Sequence, residues 1–590
     1  MSNRLYTSIP APKVPRNTFD RSRPNTLTMP FQRVVPTMAE EILPGDLYRA
    51  GQEVFARLQP MIAPVMNNMK ISNHFFYVPL RTINDHFNEF MWNNRQGNYE
   101  DVLPYTHLDT LYGVVSQLNT DGKYALAAEV IRMYDFLGLP FRYSSKTTAQ
   151  LFVSGWLADS FNDAARQTKL RVNLAPFIAY AKIWNEYFRD ENVEDDIFDT
   201  FETATSYSVF DLVGDVDSEV GTDYAPWAEC ILGLQRRAWA HDRFTSALPF
   251  AQRGPDVLLP IAGTADVTYK QGWLLGDVTP TNVGKVVSKV SGSPTTEASG
   301  DFRIYVSSGQ SEGPVRGGTS LSDENVYRNA AYDPAGSLEV DFDNAALTTT
   351  INSFRRAERL QRWYENSARG GYRPNEATLA HFGIRTPDAS LQRAQFLGGF
   401  MQPIVVSEVA QTSESTVTSP QGTLAGKGTS YKTNGGFRCF FTEHGFVFCL
   451  TSALVRANYW QGLPKMFSRM ERDEYYWPEF ANLGEEPVFT KELFVGQNVN
   501  EDTVFGYVPR YSDYKSAVGE CHGDMRSSLA FWTQTREFAN MPQFNKEFLF
   551  GDPSLTPFAV QSLYSDPIIV TIQFHVKASR LMPFYGVPTI

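Results

Sequence analysis

The sequence lacks the marks of a membrane or secreted protein. Its 590 residues contain no apolar run of about 18 or more residues, the length that a membrane-spanning helix needs. The first 31 residues are polar and rich in proline, without the apolar core of a secretory signal. We therefore expect a chain that does not insert into a membrane.

Cysteine is also scarce, with four residues in the whole chain. Cys439 and Cys449 could meet across a hairpin, whereas Cys230 and Cys521 stand alone, and no CxxC pair occurs. So few cysteines do not make a disulfide framework, and their spacing does not indicate structural zinc. Buried, reduced thiols are the favoured interpretation.

The charge of the chain is unevenly distributed. A net charge of −12 argues against a protein whose whole surface coats nucleic acid. Before Glu40, however, the chain carries six basic residues against the single acid Asp20, whereas residues 190–229 are strongly acidic. These two segments indicate surfaces with different surroundings, and the sequence assigns no role to the acidic one.

Hydrophobic periodicity predicts both strands and helices. Residues 74–78 form a short aromatic run stopped by a proline, and residues 568–577 alternate between apolar and mostly polar positions, as expected for strands. Residues 437–450 are β-prone around the interruption Glu443-His444-Gly445. Apolar residues at helical spacing predict helices over 176–188 and 352–368.

Composition divides the chain into four parts. Residues 1–40, with six prolines and little periodicity, are interpreted as an extended basic arm. Residues 262–350, rich in Gly, Ser, Thr, Asn and Asp, are interpreted as a surface insertion with a small sheet of its own. Residues 41–261 and 351–590 form the core. The predicted fold is mainly β, an antiparallel β-sandwich with long inter-strand loops and several helices.

Several short motifs imitate catalytic or ligand-binding sites. His241 and Asp242 are neighbours that would point to opposite faces of a strand, so a structural hydrogen-bonding role is favoured. His86 and Glu89 have helical spacing for metal ligands but no third ligand. Residues 422–427 resemble a phosphate loop that is one residue short, which favours a turn between strands. The sequence therefore predicts no enzyme, no cofactor and no metal.

Basic and aromatic residues leave alternatives open. The arm residues Arg16, Arg21 and Arg23 either belong to a solvated tail or contact DNA or a neighbouring subunit. Contact is favoured, since phosphate needs only loosely spaced cations. The arginines of the predicted helix over 352–368 form a solvated face or seat an acidic neighbour. Some aromatic residues could stack on bases, although core and interface packing is more common: Trp184, Tyr187, Trp460, Trp477 and Trp532.

Strings of residues along the chain resemble the major capsid proteins of gokushoviruses, which are tailless single-stranded DNA phages of the Microviridae. Ten or more strings occur in the order of that family, and this order makes the resemblance specific. Examples are ILPGD at 42–46, HFFYVP at 74–79, KIWNEYFRD at 182–190, HDRFTSALP at 241–249, YYWPEF at 475–480 and KASRLMP at 577–583. The match covers nearly the whole chain except the arm, the acidic segment and the insertion.

The resemblance implies a viral jelly roll, an eight-stranded antiparallel sandwich, whose copies form a T=1 icosahedral shell around circular single-stranded DNA. It implies a protein of the virion, assembled in the host cytoplasm, with four kinds of partner: itself, the packaged DNA, minor virion proteins and a host cell-surface receptor. In that family an insertion protrudes at the threefold axes and meets the host. Residues 262–350 match its place, so host contact is expected around Gly272, Gly309 and Gly336.

A second function of a different class remains open from sequence alone. A β-sandwich could bind carbohydrate or cleave glycosides, which requires two carboxylates about 5–10 Å apart in a groove. Glu443 and Glu479 are candidates, but nothing in the sequence pairs them.

Overall fold

The computed structural model divides into two units, Pro255–Trp363 and the remainder of the chain, Met1–Gly254 with Tyr364–Ile590. No helix among the described residues is long and apolar enough to cross a membrane. The residues that the structure describes are 15–92, 103–140, 143–144, 152–153, 170–217, 224–255, 257, 267–269, 286–289, 301–307, 312–314, 338–340, 351–371, 373–410, 424–496, 503–559 and 566–585.

Strands occur in both units. In chain order the strands are β1 (Arg16–Asp20), β2 (Arg23–Met29), β3 (Val35–Ile42), β4 (Leu47–Leu58), β5 (Met69–Pro79), β6 (Tyr105–His107), β7 (Tyr143–Ser144), β8 (Phe152–Val153), β9 (Arg171–Asn173), β10 (Val267–Tyr269), β11 (Val286–Lys289), β12 (Asp301–Ser307), β13 (Glu312–Pro314), β14 (Leu338–Val340), β15 (Gln395–Ala410), β16 (Leu424–Phe440), β17 (Gly445–Val455), β18 (Asn458–Tyr459), β19 (Glu485–Phe489), β20 (Val504–Pro509), β21 (Gly519–Glu520) and β22 (Ile568–Leu581).

Helices lie in the long connections between these strands. They are α1 (Phe87–Trp92), α2 (Leu108–Thr120), α3 (Tyr124–Phe136), α4 (Ala175–Tyr187), α5 (Ile197–Thr205), α6 (Ala225–Trp227), α7 (Ile351–Gly370), α8 (Pro374–Phe382), α9 (Lys465–Ser468), α10 (Ser512–Lys515) and α11 (Lys546–Leu549). A π-helical turn covers Ala228–Leu232, and single 3₁₀ turns cover Leu80–Thr82, Val209–Asp211, Arg472–Glu474, Pro478–Phe480, Thr490–Glu492, Gly523–Arg526 and Ala530–Trp532.

One curled antiparallel sheet carries the fold. Nine of the described strands join it, in the order β1-β22-β4-β16-β15-β5-β17-β3, with β2 also paired to β22. The last strand, β22, lies between β4 and the N-terminal strands, so neighbours in the sheet are far apart in sequence. The predicted mainly β jelly roll is confirmed, although the sheet has nine strands where the resemblance implied eight.

Apolar side chains at alternate positions of β22 point to one face of this sheet and form part of the core there. Ile568, Val570, Ile572 and Phe574 are fully buried, whereas Ile569 is 42% exposed. Burial of each such side chain stabilises the fold by about 1.5–3 kcal/mol. The predicted strand over 568–577 is confirmed and extends to Leu581.

Helix α4 covers part of the sheet at the predicted place, one residue earlier than the predicted range of 176–188. Pro176 lies in its first turn, where the missing N–H costs no hydrogen bond. The Tyr180 hydroxyl donates to the Val34 carbonyl (2.6 Å), and the Trp184 indole N–H donates to the Arg236 carbonyl (2.6 Å). The helix is therefore fixed by buried aromatic side chains whose polar ends are satisfied.

The N-terminal segment from Arg16 onward is part of the sheet. Strand β1 pairs with residues 577–581 of β22, and β2 pairs with residues 568–574 of the same strand. This pairing excludes a solvated tail for residues 16–29, because their backbone groups are used in the sheet. Composition missed these strands, since prolines and arginines hide the short alternation of an edge strand.

The remaining sequence predictions have mixed outcomes. All four cysteines are free thiols, as expected. The β-prone stretch over 437–450 is interrupted as predicted, since β16 ends at Phe440 and β17 begins at Gly445. The predicted turn over 422–427 is wrong for residues 424–427, which already belong to β16 and pair with β15. In the second unit, β11, β12 and β13 form a small antiparallel sheet.

Candidate functional site

The arginines predicted to contact DNA surround a buried carboxylate. Glu40 lies on β3 with its side chain 1% exposed, and the Arg21 guanidinium approaches it to 3.1 Å. Arg23 forms a second ion pair with the same carboxylate, and the Tyr48 hydroxyl donates to it at 2.6 Å. Burial, together with the Glu40 charge, raises the pKa of Tyr48, so its hydroxyl stays protonated and donates.

Because a buried carboxylate needs charge compensation, Arg21 and Arg23 fix the N-terminal strands to the sheet. Their side chains are nevertheless 41% and 40% exposed. Arg16 donates to the Ser579 carbonyl at 2.9 Å and lies over the Phe440 ring at 5.9 Å. Contact of these three residues with DNA or a neighbouring subunit stays a prediction.

The second set of predicted site residues lies outside the described residues. Gly272, Gly309 and Gly336 all belong to the insertion, whose described parts are the short strands β10 to β14. Along α7, the predicted apolar stripe includes Phe354, which is 51% exposed, and Leu360, which is 39% exposed.

Two of the residues that imitate catalytic motifs, Asp242 and Glu443, form hydrogen bonds or ion pairs within the fold. The Asp242 carboxylate accepts from the Thr245 N–H at 2.8 Å and from the Tyr459 hydroxyl at 2.8 Å, which closes a turn. The predicted structural role is confirmed for Asp242. Glu443 is ion-paired with Arg81, and Glu479 lies in a separate 3₁₀ turn.

A cluster of three ligand-type residues was not predicted from the sequence. His107, Asp215 and Asp217 bring one ligand atom each to within 4.8 Å of one another. The His107 Nδ1 lies 2.6 Å from the Asp217 carboxylate, which also accepts from the Thr106 hydroxyl at 2.6 Å. Burial opposes ionisation of Asp217, but these hydrogen bonds outweigh it and lower its pKa. The cluster fastens β6 to the segment 215–217 and is satisfied internally.

A segment that includes α9 exposes many apolar side chains. This segment, called here the apolar loop, covers residues 463–483. Met470 is 82% exposed and Phe467 is 60% exposed. Single exposed apolar residues are normal on a protein surface, but a group of them indicates a binding surface. Other exposed apolar or aromatic side chains of the loop are Leu463, Met466, Tyr475, Tyr476, Trp477, Phe480 and Leu483. So many exposed apolar and aromatic side chains within one segment are typical of an interface between proteins.

Comparison with known proteins identifies the family. The model of a family described as capsid protein (F protein) matches residues 7–162 and 146–590. The chain belongs to this phage capsid protein family. The matched part begins ahead of β1, so the N-terminal strands are included in it.

Three capsid proteins illustrate the relationship. Capsid protein VP1 of Chlamydia phage 1 is 31% identical over 639 residues, covering 100% of this chain and 98% of that protein. Capsid protein VP1 of Bdellovibrio phage phiMH2K is 30% identical and covers 99% of this chain and 97% of its own length. Capsid protein VP1 of Spiroplasma virus 4 is 31% identical over 74% of this chain and 76% of its own length.

This family match agrees with the prediction made from the short sequence motifs that occur in the order of the gokushovirus family. The predicted identity as a Microviridae major capsid protein of gokushovirus type is confirmed. Self-assembly into a shell, a place in the virion and a structural role follow from the family. The match to the capsid family displaces the alternative of a carbohydrate-binding or glycoside-cleaving sandwich.

Proposed function

We propose that this capsid protein is the subunit of a T=1 icosahedral shell that encloses a circular single-stranded DNA genome. The observation that carries the proposal is the match to phage capsid proteins along essentially the whole chain. The apolar loop supports it, since a shell requires extensive contacts between copies and a lone subunit would leave this surface in water. Assembly in the host cytoplasm together with minor virion proteins completes the proposal.

Electron microscopy and nuclease protection of purified particles test the shell. The expected result is a closed icosahedral particle, with one subunit per asymmetric unit, that protects single-stranded DNA. A protein that stays monomeric under all assembly conditions, or particles of another symmetry, would contradict the proposal.

A single charge in the apolar loop tests how the shell closes. Met470→Asp places a carboxylate at the most exposed apolar side chain of the loop and should abolish particle formation without unfolding the subunit. The same change at Met66, which is 63% exposed outside the loop, is the matched control. Normal particles from Met470→Asp would show that the loop is not buried between copies.

The insertion over 262–350 is proposed to contact the host receptor. Its support is that Pro255–Trp363 forms a unit separate from the sheet, so it can vary without altering the core. Deletion of residues 272–336 should leave shell formation intact and reduce attachment to host cells. Unchanged attachment would refute the receptor role.

The arginines of the arm are proposed to contact DNA or a neighbouring subunit through their exposed portions. Because Arg21 and Arg23 also compensate Glu40, alanine replacements would confound folding with binding. Arg16→Ala/Arg21→Ala/Arg23→Ala should therefore be compared with the same triple variant carrying Glu40→Gln. Reduced packaged DNA or particle yield in both variants supports contact; wild-type levels in the Glu40→Gln background would leave these arginines a structural role alone.

A further inference from the structure

A cavity of about 680 Å³ opens beside the sheet, within the larger unit. It lies against strands β5, β15 and β17, the end of α4, residues 237–241 and Arg373. A β-bulge between Phe396 and Gly398 shapes its β15 side, and Gly398 has φ of +147°, a backbone conformation that favours glycine. The side chain of Phe396 beside the bulge is 48% exposed and lines the cavity.

One wall of the cavity contains a largely buried arginine without an acidic partner. Arg237 donates to the hydroxyls of Ser72 and Ser452, and its guanidinium lies over the Phe188 ring at 5.2 Å. No carboxylate of the described residues pairs with it. Burial lowers the pKa of Arg237 to about 10, so the group remains charged at neutral pH. Keeping such a charge buried is costly unless an anion offsets it.

Further cations line the same cavity. Lys70 and Arg456 are exposed, and neither forms an ion pair with any carboxylate in the described part of the chain. Arg189 and Arg373 also line it but face Asp196 and Glu191, each at 3.6 Å. Among the described residues that line the cavity, Asp190 alone carries a carboxylate, and it already accepts from the Asn192 N–H at 2.9 Å. The lining therefore has an excess of positive charge.

Aromatic side chains also line the cavity. The rings of Phe76 and Tyr187 are 4.8 Å apart, and those of Phe76 and Phe396 are 5.5 Å apart. His74 packs against Phe188 and Phe396 at 6.3 and 5.8 Å. Burial, followed by the Arg237 charge, lowers the pKa of His74 to about 4, so its imidazole is neutral at neutral pH. A neutral imidazole can donate or accept one hydrogen bond with a planar ligand.

We propose that this cavity binds a nucleotide unit of single-stranded DNA, with its base against the aromatic surface and its phosphate beside Arg237, Lys70 and Arg456. Stacking on aromatic side chains combined with cations along the backbone is the chemistry by which proteins hold single strands without reading sequence. The described lining favours a nucleotide over a neutral carbohydrate, because it carries five cationic side chains against the single carboxylate of Asp190. The inference rests on the proposed enclosure of a DNA genome and assigns that contact to one site.

The test measures binding of a fluorescein-labelled oligothymidylate to purified capsid subunits by anisotropy, over a range of salt concentrations. Lys70→Ala/Arg456→Ala should weaken binding at least about tenfold and reduce the salt slope by up to about 0.7, the contribution of the one phosphate contact that these two cations share with Arg237. The matched control Lys427→Ala/Lys577→Ala removes the same charge from exposed lysines outside the cavity and should leave binding unchanged.

Two further arms separate base from phosphate. Phe396→Ala should weaken binding of the oligonucleotide while leaving the salt slope unchanged. Thymidine monophosphate should compete with the oligonucleotide better than inorganic phosphate does. If phosphate competes equally well, or if Phe396→Ala binds as the wild type does, the nucleotide assignment is wrong.

Intact particles distinguish failure of the site from failure of the proposed function. After ultraviolet irradiation of wild-type particles, cross-linked peptides should include residues 187–190 or Phe396. DNA-filled particles without these cross-links, together with unchanged binding by Lys70→Ala/Arg456→Ala, would overturn the site but not the capsid function. Particles that contain no DNA would instead refute the enclosure of a genome.

Discussion

Two cationic regions of this capsid protein differ in how their charge is compensated. At the N-terminal strands, Arg21 and Arg23 share the carboxylate of Glu40, whose side chain is 1% exposed. In the cavity beside β5, Arg237 has hydroxyl and aromatic partners but no carboxylate among the described residues. The first region is closed by its own chain, whereas the second is left open to an anion.

The difference teaches that a count of basic residues does not locate an anion site. The N-terminal segment is conspicuous in the sequence because its arginines are close together, yet two of them stabilise the fold. The cavity is inconspicuous because its cations come from distant parts of the chain. What matters is whether the folded chain supplies an acid to each cation.

The largest expected effect is on the compensated region. Arg21→Ala/Arg23→Ala leaves Glu40 as a buried charge with only the Tyr48 hydroxyl beside it, and should lower the free energy of unfolding by about 3–5 kcal/mol. Urea denaturation of the isolated subunit measures this change. Adding Glu40→Gln should restore part of the loss. An unaltered unfolding midpoint in Arg21→Ala/Arg23→Ala would show that these arginines do not stabilise the fold, and the two regions would then not differ.

A pH-dependent effect is expected in the cavity. The pKa of His74 is about 4 in the folded chain against 6.5 for an unperturbed histidine, so the unfolded state binds the proton more readily. This contribution to stability is complete above pH 6.5 and is lost as the pH falls towards 4, by on the order of 3 kcal/mol.

The matched comparison is between the wild type and His74→Gln, because carboxylates titrate equally in both. The difference between their unfolding free energies should change across pH 4–6.5 and stay constant above it. A constant difference over the whole range would show that His74 is not held neutral by its surroundings.

Arg237 should display opposite effects on stability and binding. Arg237→Met removes an uncompensated buried charge and keeps apolar volume, so the subunit should gain about 1 kcal/mol of stability while binding DNA at least about tenfold more weakly. Thermal unfolding and the anisotropy assay measure the two effects. A strong loss of stability would indicate that an acid compensates Arg237 after all.

The smallest expected effect is on stability at the rim of the cavity. Lys70→Ala/Arg456→Ala changes two exposed cations and should alter the free energy of unfolding by no more than about 0.5 kcal/mol. The same urea experiment tests it. A loss of stability comparable to that of Arg21→Ala/Arg23→Ala would show that the cations of both regions stabilise the fold.

The sequence predicted those strands and helices whose apolar residues repeat at regular spacing within a short segment. The alternation of Ile568 to Phe574 and the helical spacing around Tyr180 each correspond to a buried face, so β22 and α4 were found. The capsid family itself came from ordered strings, which encode ancestry. By contrast, the strands β1 and β2 were missed because an edge strand needs no buried alternation and tolerates proline.

The sites were less predictable because they depend on pairing over long distances. Arg23 and Glu40 meet only because β2 and β3 lie in one curled sheet, and nothing in their spacing indicates it. His107 and Asp217 are separated by 110 positions before they form an ion pair. The cavity brings Lys70, Arg237 and Arg456 together from three segments, and only the position of Tyr187 was noted as a base-stacking candidate.

A density map of the assembled particle tests the central claim, that this chain builds a closed shell around its genome. The account predicts a T=1 icosahedral shell in which the apolar loop over 463–483 is buried between copies and DNA lies within. A particle in which Phe467 and Met470 face solvent, or a chain that forms no closed shell, would contradict it.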